Sequence, residues 1–265
     1  MAIEVDARAA GFEAKKLARI GEHLSERYVE PGKIAGCQVL VSRHGIPAYF
    51  ESYGLMDRER NKPMQDDTLF RIYSMSKAIT SVALMMLWEE GRFQLSDPVH
   101  RYIPSWRNQV VWQEGEGSSM VTRRPKAPPT MQHILSHTAG LTYGGLLPGL
   151  ESPVDAAYQH MGVARGDGET LMEFADKLGR VPLLYEPGSK WCYSLATDVC
   201  GALVEIISGQ PFEQFLQERL FSPLGMRDTG FRVSDDQLDR FAACYVRGPD
   251  KQLILEDDPE TSHYR

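Results

Sequence analysis

The sequence predicts a mixed α/β fold of the α+β kind, with a β-hairpin near each end of the chain and mainly helical segments between them. Two patterns carry this prediction. Pairs of β-prone runs separated by turn residues occur within 36–53 and 241–256, and apolar residues recur at helical spacing through much of the intervening chain. With 265 residues and 42% hydrophobic content, the chain can bury a substantial core.

The chain begins with a predicted helix followed by the first hairpin. Apolar residues spaced among charged ones predict an amphipathic surface helix over 12–28, which Pro31-Gly32 ends. The β-prone runs 36–42 and 46–53 are separated by Arg43-His44-Gly45 and predict an antiparallel pair. His44 is therefore interpreted as a turn residue rather than a catalytic one.

The most hydrophobic helical segment is predicted from about Ser74 to Glu90, before the stop at Gly91. It is apolar almost all round, which is typical of a buried helix. Ser74 and Lys77 lie one turn apart on the same face. A serine hydroxyl becomes a nucleophile when a base takes its proton, and a lysine amine can do so when burial keeps it neutral.

Ser74 is therefore a candidate nucleophile. The unpaired N–H groups and positive dipole at a helix start also favour the oxyanion of an acyl intermediate beside it. The alternative interpretation is that Ser74 or Ser76 only caps the helix and that Lys77 is a solvated residue of the first turn.

The middle of the chain predicts loops around one short helix. Residues 95–98 form a loop before a new helix start, and 107–129 mixes glycines, serines, basic residues and prolines, which predicts an exposed, mobile insertion. Thr130 caps the next helix, and a glycine turn over 136–141 closes it. His137 in this turn is either a catalytic base or a residue that fixes the loop by hydrogen bonds.

The second half of the chain continues with helices and ends in the second hairpin. The predicted elements are a loop over 144–168 with a short helix at 154–160, a helix at 169–178, a turn at 185–190, helices at 195–208 and 212–220, and strands at 241–246 and 252–256 before a polar tail.

Composition argues against several classes of partner. The net charge of −7 and the absence of an arginine-rich patch disfavour nucleic acid. The cysteines form no C-x-x-C pair or zinc-like cluster, so free thiols are expected at Cys37, Cys192, Cys200 and Cys244. No apolar run of about 18 residues occurs, and the first residues are acidic, which favours a cytoplasmic protein without membrane contact unless a leader has been removed.

Three motifs follow one another along the chain: S-x-x-K at Ser74, L-S-H-T-A-G-L at 135–141, and P-G-S-K-W-C-Y-S at 187–194. In this order, after a hairpin, they resemble the serine β-lactamase and penicillin-binding-protein superfamily. Among its branches the chain is most similar to family VIII carboxylesterases and their class C β-lactamase relatives, over about 12–255. No G-x-S-x-G pentapeptide occurs, which excludes the α/β-hydrolase nucleophile elbow.

The resemblance implies a single β-lactamase-like catalytic domain, with an antiparallel sheet flanked by helices and a mostly helical lobe. The expected sheet lobe is 12–56 with 240–256, and the helical lobe is 68–235. Ser74 is expected at their junction, with substrates in the cleft. A third motif of the family, on a late strand that supplies half of the oxyanion hole, is not found after Tyr193. We therefore expect C-terminal strands to be missing, and a longer chain or a second chain to complete the fold.

The resemblance also implies the catalytic residues. Ser74 would form the acyl-enzyme, while Lys77 and Tyr193 would handle the protons. A tyrosinate beside a lysine ammonium is chemically consistent with this role, and the alternative for Tyr193 is a core aromatic residue with one hydrogen bond. Leu195 stands where class C β-lactamases use an asparagine to contact the substrate amide, which favours esters over lactams.

We therefore predict a serine carboxylesterase that hydrolyses short-chain acyl esters without a metal or organic cofactor. Alternatives that use the same residues are a β-lactamase, a D-aminopeptidase and an acyltransferase, and weak β-lactamase activity beside esterase activity is compatible with them. An alternative of another class is a non-catalytic scaffold that keeps the fold.

Overall fold

The computed structural model of the protein describes residues 3–163 and 168–265. The predicted loop over 144–168 therefore lies partly outside the described residues, at 164–167. The helices are α1 Ala14–Leu24, α2 Ser76–Glu89, α3 Met131–Leu135, α4 Asp155–His160, α5 Leu171–Leu178, α6 Ala196–Ser208 and α7 Phe212–Leu216. The strands are β1 Gly36–Arg43, β2 Ile46–Asp57, β3 Lys62–Pro63, β4 Val111–Glu114, β5 Val121–Arg123, β6 Cys244–Arg247 and β7 Leu253–Asp257.

These elements confirm the predicted hairpins and helices, with shifted boundaries. The π-helical turns Ser25–Val29 and Gln217–Phe221 extend α1 and α7. The helix start predicted after Pro98 is a 3-10 turn, Val99–Arg101. The described chain divides into two compact units, one of Met1–Ile72 with Asp228–Arg265 and the other of Tyr73–Arg227.

The first unit contains a three-stranded antiparallel sheet in the order β1-β2-β3. His44 and Gly45 both adopt left-handed φ angles, 54° and 76°, in the two-residue turn between β1 and β2. This turn matches the twist of a hairpin and confirms His44 as a turn residue. Helix α1 packs on β2, and a Cβ at Gly21 would lie 2.2 Å from the Tyr53 hydroxyl oxygen, so a side chain there would displace Tyr53.

The second hairpin of this unit, β6–β7, is tied to Arg71. The Arg71 side chain is 5% exposed and donates to the Asp257 carboxylate at 2.5 Å and to the Ala242 carbonyl. Its guanidinium also lies over the Phe241 ring, 3.8 Å from the centroid. Because Ser262 Oγ donates to the same carboxylate at 2.8 Å, the polar tail is fixed without forming a strand.

Helix α6 is the centre of the second unit. It packs against α2, α3, α5 and α7, and most of its residues are buried. Gly201 in this helix faces the side chains of Leu171 and Phe212. The helix ends at Gly209, whose φ of 75° is the left-handed cap that glycine favours.

Helix α2 is buried on one side only. Ala83, Leu84 and Leu87 are at most 1% exposed in the core, whereas Val82 is 47% exposed. Among the described residues, the neighbouring helices cover a single face of this apolar helix, and the opposite face is left open. Strand β1 is an edge strand among the described residues.

The segment 107–129 is largely exposed, as predicted. It contains the antiparallel hairpin β4–β5, which the sequence analysis did not predict. Its base is anchored because Val111 is 2% exposed and the Trp112 N–H donates to the Leu183 carbonyl at 2.8 Å. A salt bridge of 2.5 Å from Arg123 to Glu186 fixes the second strand.

Candidate active site

Ser74 lies in a 3-10 turn, Tyr73–Met75, immediately before α2. Its side chain is exposed. The residue at the N-cap of α2 is Met75, and no side chain makes a capping hydrogen bond there. The interpretation of Ser74 or Ser76 as the cap of this helix is therefore wrong. The Ser74 hydroxyl is available for other partners.

Those partners are the other two predicted residues. Lys77 Nζ donates to Ser74 Oγ at 3.2 Å, as expected for residues one turn apart. The Tyr193 hydroxyl donates to the same Oγ at 2.7 Å. The structure thus brings Ser74, Lys77 and Tyr193 within hydrogen-bonding distance, although 119 positions separate Tyr193 from the serine. Their catalytic roles stay a prediction.

Backbone hydrogen bonds hold the segment that carries Tyr193. The Cys192 N–H donates to the His137 carbonyl at 2.8 Å, and the Leu195 N–H donates to the Thr142 carbonyl at 3.2 Å. These bonds join the segment before α6 to the chain that follows α3. Tyr193 is consequently presented from a rigid part of the unit.

The environment of Lys77 favours its charged form. Burial of its amine acts to lower the pKa, but interactions with the Tyr193 and Tyr143 hydroxyls outweigh burial and raise the pKa of Lys77 above 10.5. The amine kept neutral by burial that the sequence analysis expects is therefore not favoured here, and the role of Lys77 as a base stays a prediction. In its charged form Lys77 supplies positive charge and a donated hydrogen bond to Ser74.

Tyr193 is shifted in the opposite direction. Its hydrogen bond with Ser74 lowers the pKa of the Tyr193 phenol below 10.0, burial opposes this, and the Lys77 ammonium lowers the pKa further. In its phenolate form, Tyr193 is placed to accept the Ser74 proton across the 2.7 Å between the two oxygens. The arrangement offers a serine with a tyrosine base and an adjacent lysine.

Tyr143 is a member of this cluster that sequence reasoning missed. It is 3% exposed, and its ring centroid lies 5.2 Å from that of Tyr193. Burial raises the pKa of the Tyr143 phenol, which interacts with both Lys77 and Tyr193. The sequence places Tyr143 two residues after the L-S-H-T-A-G-L stretch, which could have drawn attention to it. No spacing rule, however, predicts that it lies near Ser74.

The His137 ring packs against the Tyr193 ring. Its ring centroid is 5.2 Å from that of Tyr193, and its Nδ1 is 3.1 Å from Ser194 Oγ. Burial lowers the pKa of the imidazole, and the charge of Lys77 lowers it further, so both favour the neutral ring. These contacts, together with its φ of 55° in the turn, favour the loop-fixing role over that of a base.

Two neighbours of Tyr193 in sequence differ in exposure. Leu195 is 0% exposed and packs in the core, so its side chain presents no group to a substrate. Trp191 is 63% exposed and its ring stacks on that of Tyr193. The sequence analysis considered Trp191 only as part of the P-G-S-K-W-C-Y-S motif.

Comparison with known proteins gives the following matches. The protein-family model for Beta-lactamase matches residues 22–262. Esterase EstB of Burkholderia gladioli is 34% identical over 264 residues, which are 98% of this chain and 62% of that protein. Monacolin J acid methylbutanoyltransferase of Aspergillus terreus is 31% identical over 205 residues, covering 74% of this chain and 46% of that protein.

Among solved structures, EstCE1, described as a hydrolase with promiscuous acyltransferase activity, superimposes with a TM-score of 0.78 at 34% identity. The match covers 92% of this chain and 60% of EstCE1. The chain therefore spans about three-fifths of the length of these esterase relatives. In the ranges that the structure describes, no helix is both long and apolar enough to cross a membrane.

Proposed function

The chain belongs to the beta-lactamase family, and from this premise we propose that it acts as a serine carboxylesterase on small-molecule esters of short acyl chains. One observation carries the proposal: Ser74 Oγ lies within hydrogen-bonding distance of both Tyr193 Oη, at 2.7 Å, and Lys77 Nζ, at 3.2 Å. Esterase EstB and the hydrolase EstCE1 support the choice of substrate class. The buried Leu195 is consistent with it, because it offers no polar contact to a lactam side chain.

The reaction begins with acylation of Ser74. Its Oγ attacks the ester carbonyl carbon while its proton passes to the Tyr193 phenolate. The Lys77 ammonium stabilises the phenolate before the transfer, and the start of α2 favours the oxyanion that forms beside Ser74. When the tetrahedral intermediate collapses, Tyr193 gives the proton to the departing alcohol oxygen. The products of this step are the acyl-enzyme and a neutral alcohol.

Deacylation reverses the proton path. A water molecule attacks the acyl carbonyl and loses a proton to Tyr193, which then returns it to Ser74 Oγ as the carboxylic acid leaves. Each step needs one group that both accepts and donates a proton. Tyr193 suits this task because its lowered pKa brings the base form closer to neutral pH.

Covalent labelling tests the nucleophile directly. Intact mass after incubation of the full chain with a fluorophosphonate should show one adduct, which peptide mapping locates on Ser74. Ser74→Ala should abolish the adduct. Ser76→Ala is the matched control, because Ser76 lies two residues further on and should leave labelling intact. A folded protein without an adduct, or with the adduct elsewhere, contradicts the proposal.

Substrate turnover separates the chemical alternatives. We expect hydrolysis of p-nitrophenyl butyrate to exceed that of nitrocefin by far, whereas the reverse order would identify a β-lactamase. Transfer to an alcohol is the second candidate function, since one relative is named as a methylbutanoyltransferase and EstCE1 is described with promiscuous acyltransferase activity. Product analysis with vinyl butyrate and an added alcohol measures the ratio of hydrolysis to acyl transfer, that is, how often water and how often the alcohol attacks the acyl-enzyme.

A further inference from the structure

Trp191 has an unusual combination of exposure and order for a large aromatic residue. It is 63% exposed, although tryptophan is highly buried on average. Its ring nevertheless stacks on Tyr193, with centroids 6.2 Å apart and planes inclined by 18°, and meets the His137 ring edge-on at 6.3 Å. One side of the indole is therefore packed against the candidate site, and most of its surface remains open.

The residues on both sides of Trp191 make contacts that restrain them. The Cys192 N–H donates to the His137 carbonyl at 2.8 Å on one side. On the other side, the Lys190 ammonium lies over the Tyr185 ring, 4.4 Å from its centroid, and donates to the Tyr185 hydroxyl at 3.2 Å. A planar group that stacks on Trp191 would meet a surface that is already ordered, which reduces the entropy lost on binding.

The position of Trp191 relative to the reacting atoms indicates which part of an ester it meets. In the proposed function, Tyr193 protonates the alcohol oxygen that leaves, so that oxygen must come within hydrogen-bonding distance of the Tyr193 hydroxyl. The alcohol portion of the ester then extends on the Tyr193 side of Ser74. Trp191 stacks on the Tyr193 ring and offers an open aromatic surface beside it.

We propose that Trp191 determines specificity for the alcohol portion of the substrate and favours esters of planar aromatic alcohols. The inference rests on the proposed esterase function and goes further by naming the leaving group. Stacked aromatic pairs prefer offset parallel geometry, and their stabilisation corresponds to roughly 3- to 10-fold in an equilibrium or rate constant. Non-planar alcohols of the same size gain no such contact.

The kinetic test compares two esters that differ mainly in planarity, benzyl butyrate and cyclohexylmethyl butyrate. Trp191→Ala should lower kcat/KM for the benzyl ester by roughly 3- to 10-fold and leave the cyclohexylmethyl ester nearly unchanged. Trp191→Phe should restore most of the preference. An equal loss of kcat/KM for both esters would mean that Trp191 only supports the position of Tyr193. An unchanged ratio of the two kcat/KM values would mean that Trp191 does not determine alcohol specificity. Either result overturns the inference.

Two controls sharpen this comparison. Trp88→Ala removes another exposed tryptophan, 38% exposed, at the far end of α2, about 21 Å along the helix direction from Ser74. It should change neither ester. Butyl phenylacetate carries the aromatic ring on the acyl side, and its kcat/KM should not respond to Trp191→Ala. A response there would assign Trp191 to the acyl portion and contradict the proposal.

Binding without turnover separates this inference from the proposed function. In Ser74→Ala, benzyl alcohol should quench tryptophan fluorescence saturably, cyclohexylmethanol should not, and the additional Trp191→Ala substitution should abolish the effect. Absence of saturable quenching overturns the role of Trp191 even if ester hydrolysis is established. Saturable quenching by benzyl alcohol, together with a wild-type protein that forms no acyl-enzyme, would instead refute the proposed esterase function. The aromatic binding site at Trp191 would still be supported.

Discussion

Replacing Tyr193 with phenylalanine removes one oxygen atom and keeps the ring in place. The lost atom is the one 2.7 Å from Ser74 Oγ, and it is also the base in the proposed reaction. The ring contacts remain, since its neighbours Tyr143 and His137 have centroids 5.2 Å away. The substitution is therefore expected to affect chemistry much more than folding.

The magnitude follows from the role of the hydroxyl. A positioned general base contributes about 10²- to 10⁴-fold, which equals about 3–5 kcal/mol of activation free energy. We expect kcat on p-nitrophenyl butyrate to fall by that factor, with little change in KM. The free energy of unfolding should change by no more than about 1 kcal/mol, because one partly exposed hydrogen bond is lost.

The assay combines steady-state kinetics, the rate of fluorophosphonate labelling and thermal unfolding. Tyr185→Phe is the matched control, because it removes a tyrosine hydroxyl from the same stretch of chain whose recorded partner is Lys190, at 3.2 Å. It should retain kcat. If Tyr193→Phe kept more than about a third of wild-type kcat while folded, a contribution of 10²-fold or more would be refuted and another base would be required.

Further predictions concern pH, the second tyrosine, the histidine and the core. Because the base form of Tyr193 is the active one and its pKa is lowered, kcat/KM should rise with pH with a midpoint below 10.0. It should fall again only where Lys77, whose pKa is raised above 10.5, loses its proton. A pH–rate profile checks both limbs, and Lys77→Ala should move the midpoint of the rising limb to higher pH. Tyr143→Phe removes a hydrogen bond to the ammonium and should lower kcat about tenfold, with the same direction of shift in the profile. His137→Ala should lower kcat about tenfold without moving either limb, since it acts through the position of Tyr193, and a displaced limb would show that it titrates in the reaction. Leu84→Ala, at a site that is 0% exposed, should cost about 2–5 kcal/mol in urea unfolding, and a loss below 1 kcal/mol would show that α2 is loosely packed.

The sequence by itself determined the local elements and one half of the site. Periodicity, turn residues and caps act between near neighbours, so α6, the hairpin turn at His44 and the capped start at Thr130 are readable without tertiary information. The pairing of Ser74 with Lys77 belongs to this class, since one helical turn brings them together. Tyr193 required the order of motifs, because no local rule links positions 119 residues apart.

Only the tertiary structure decided which groups surround Ser74 and in which direction they shift one another's pKa. The raised pKa of Lys77 depends on two phenols contributed by distant segments, and the interaction of Tyr143 with that amine has no counterpart in spacing. Exposure is decided in the same way: Leu195 and Trp191 are close in sequence, yet one is buried in the core and the other is open to solvent. Burial and pKa are sums over neighbours in space, and packing of α6 against the helices around it selects those neighbours.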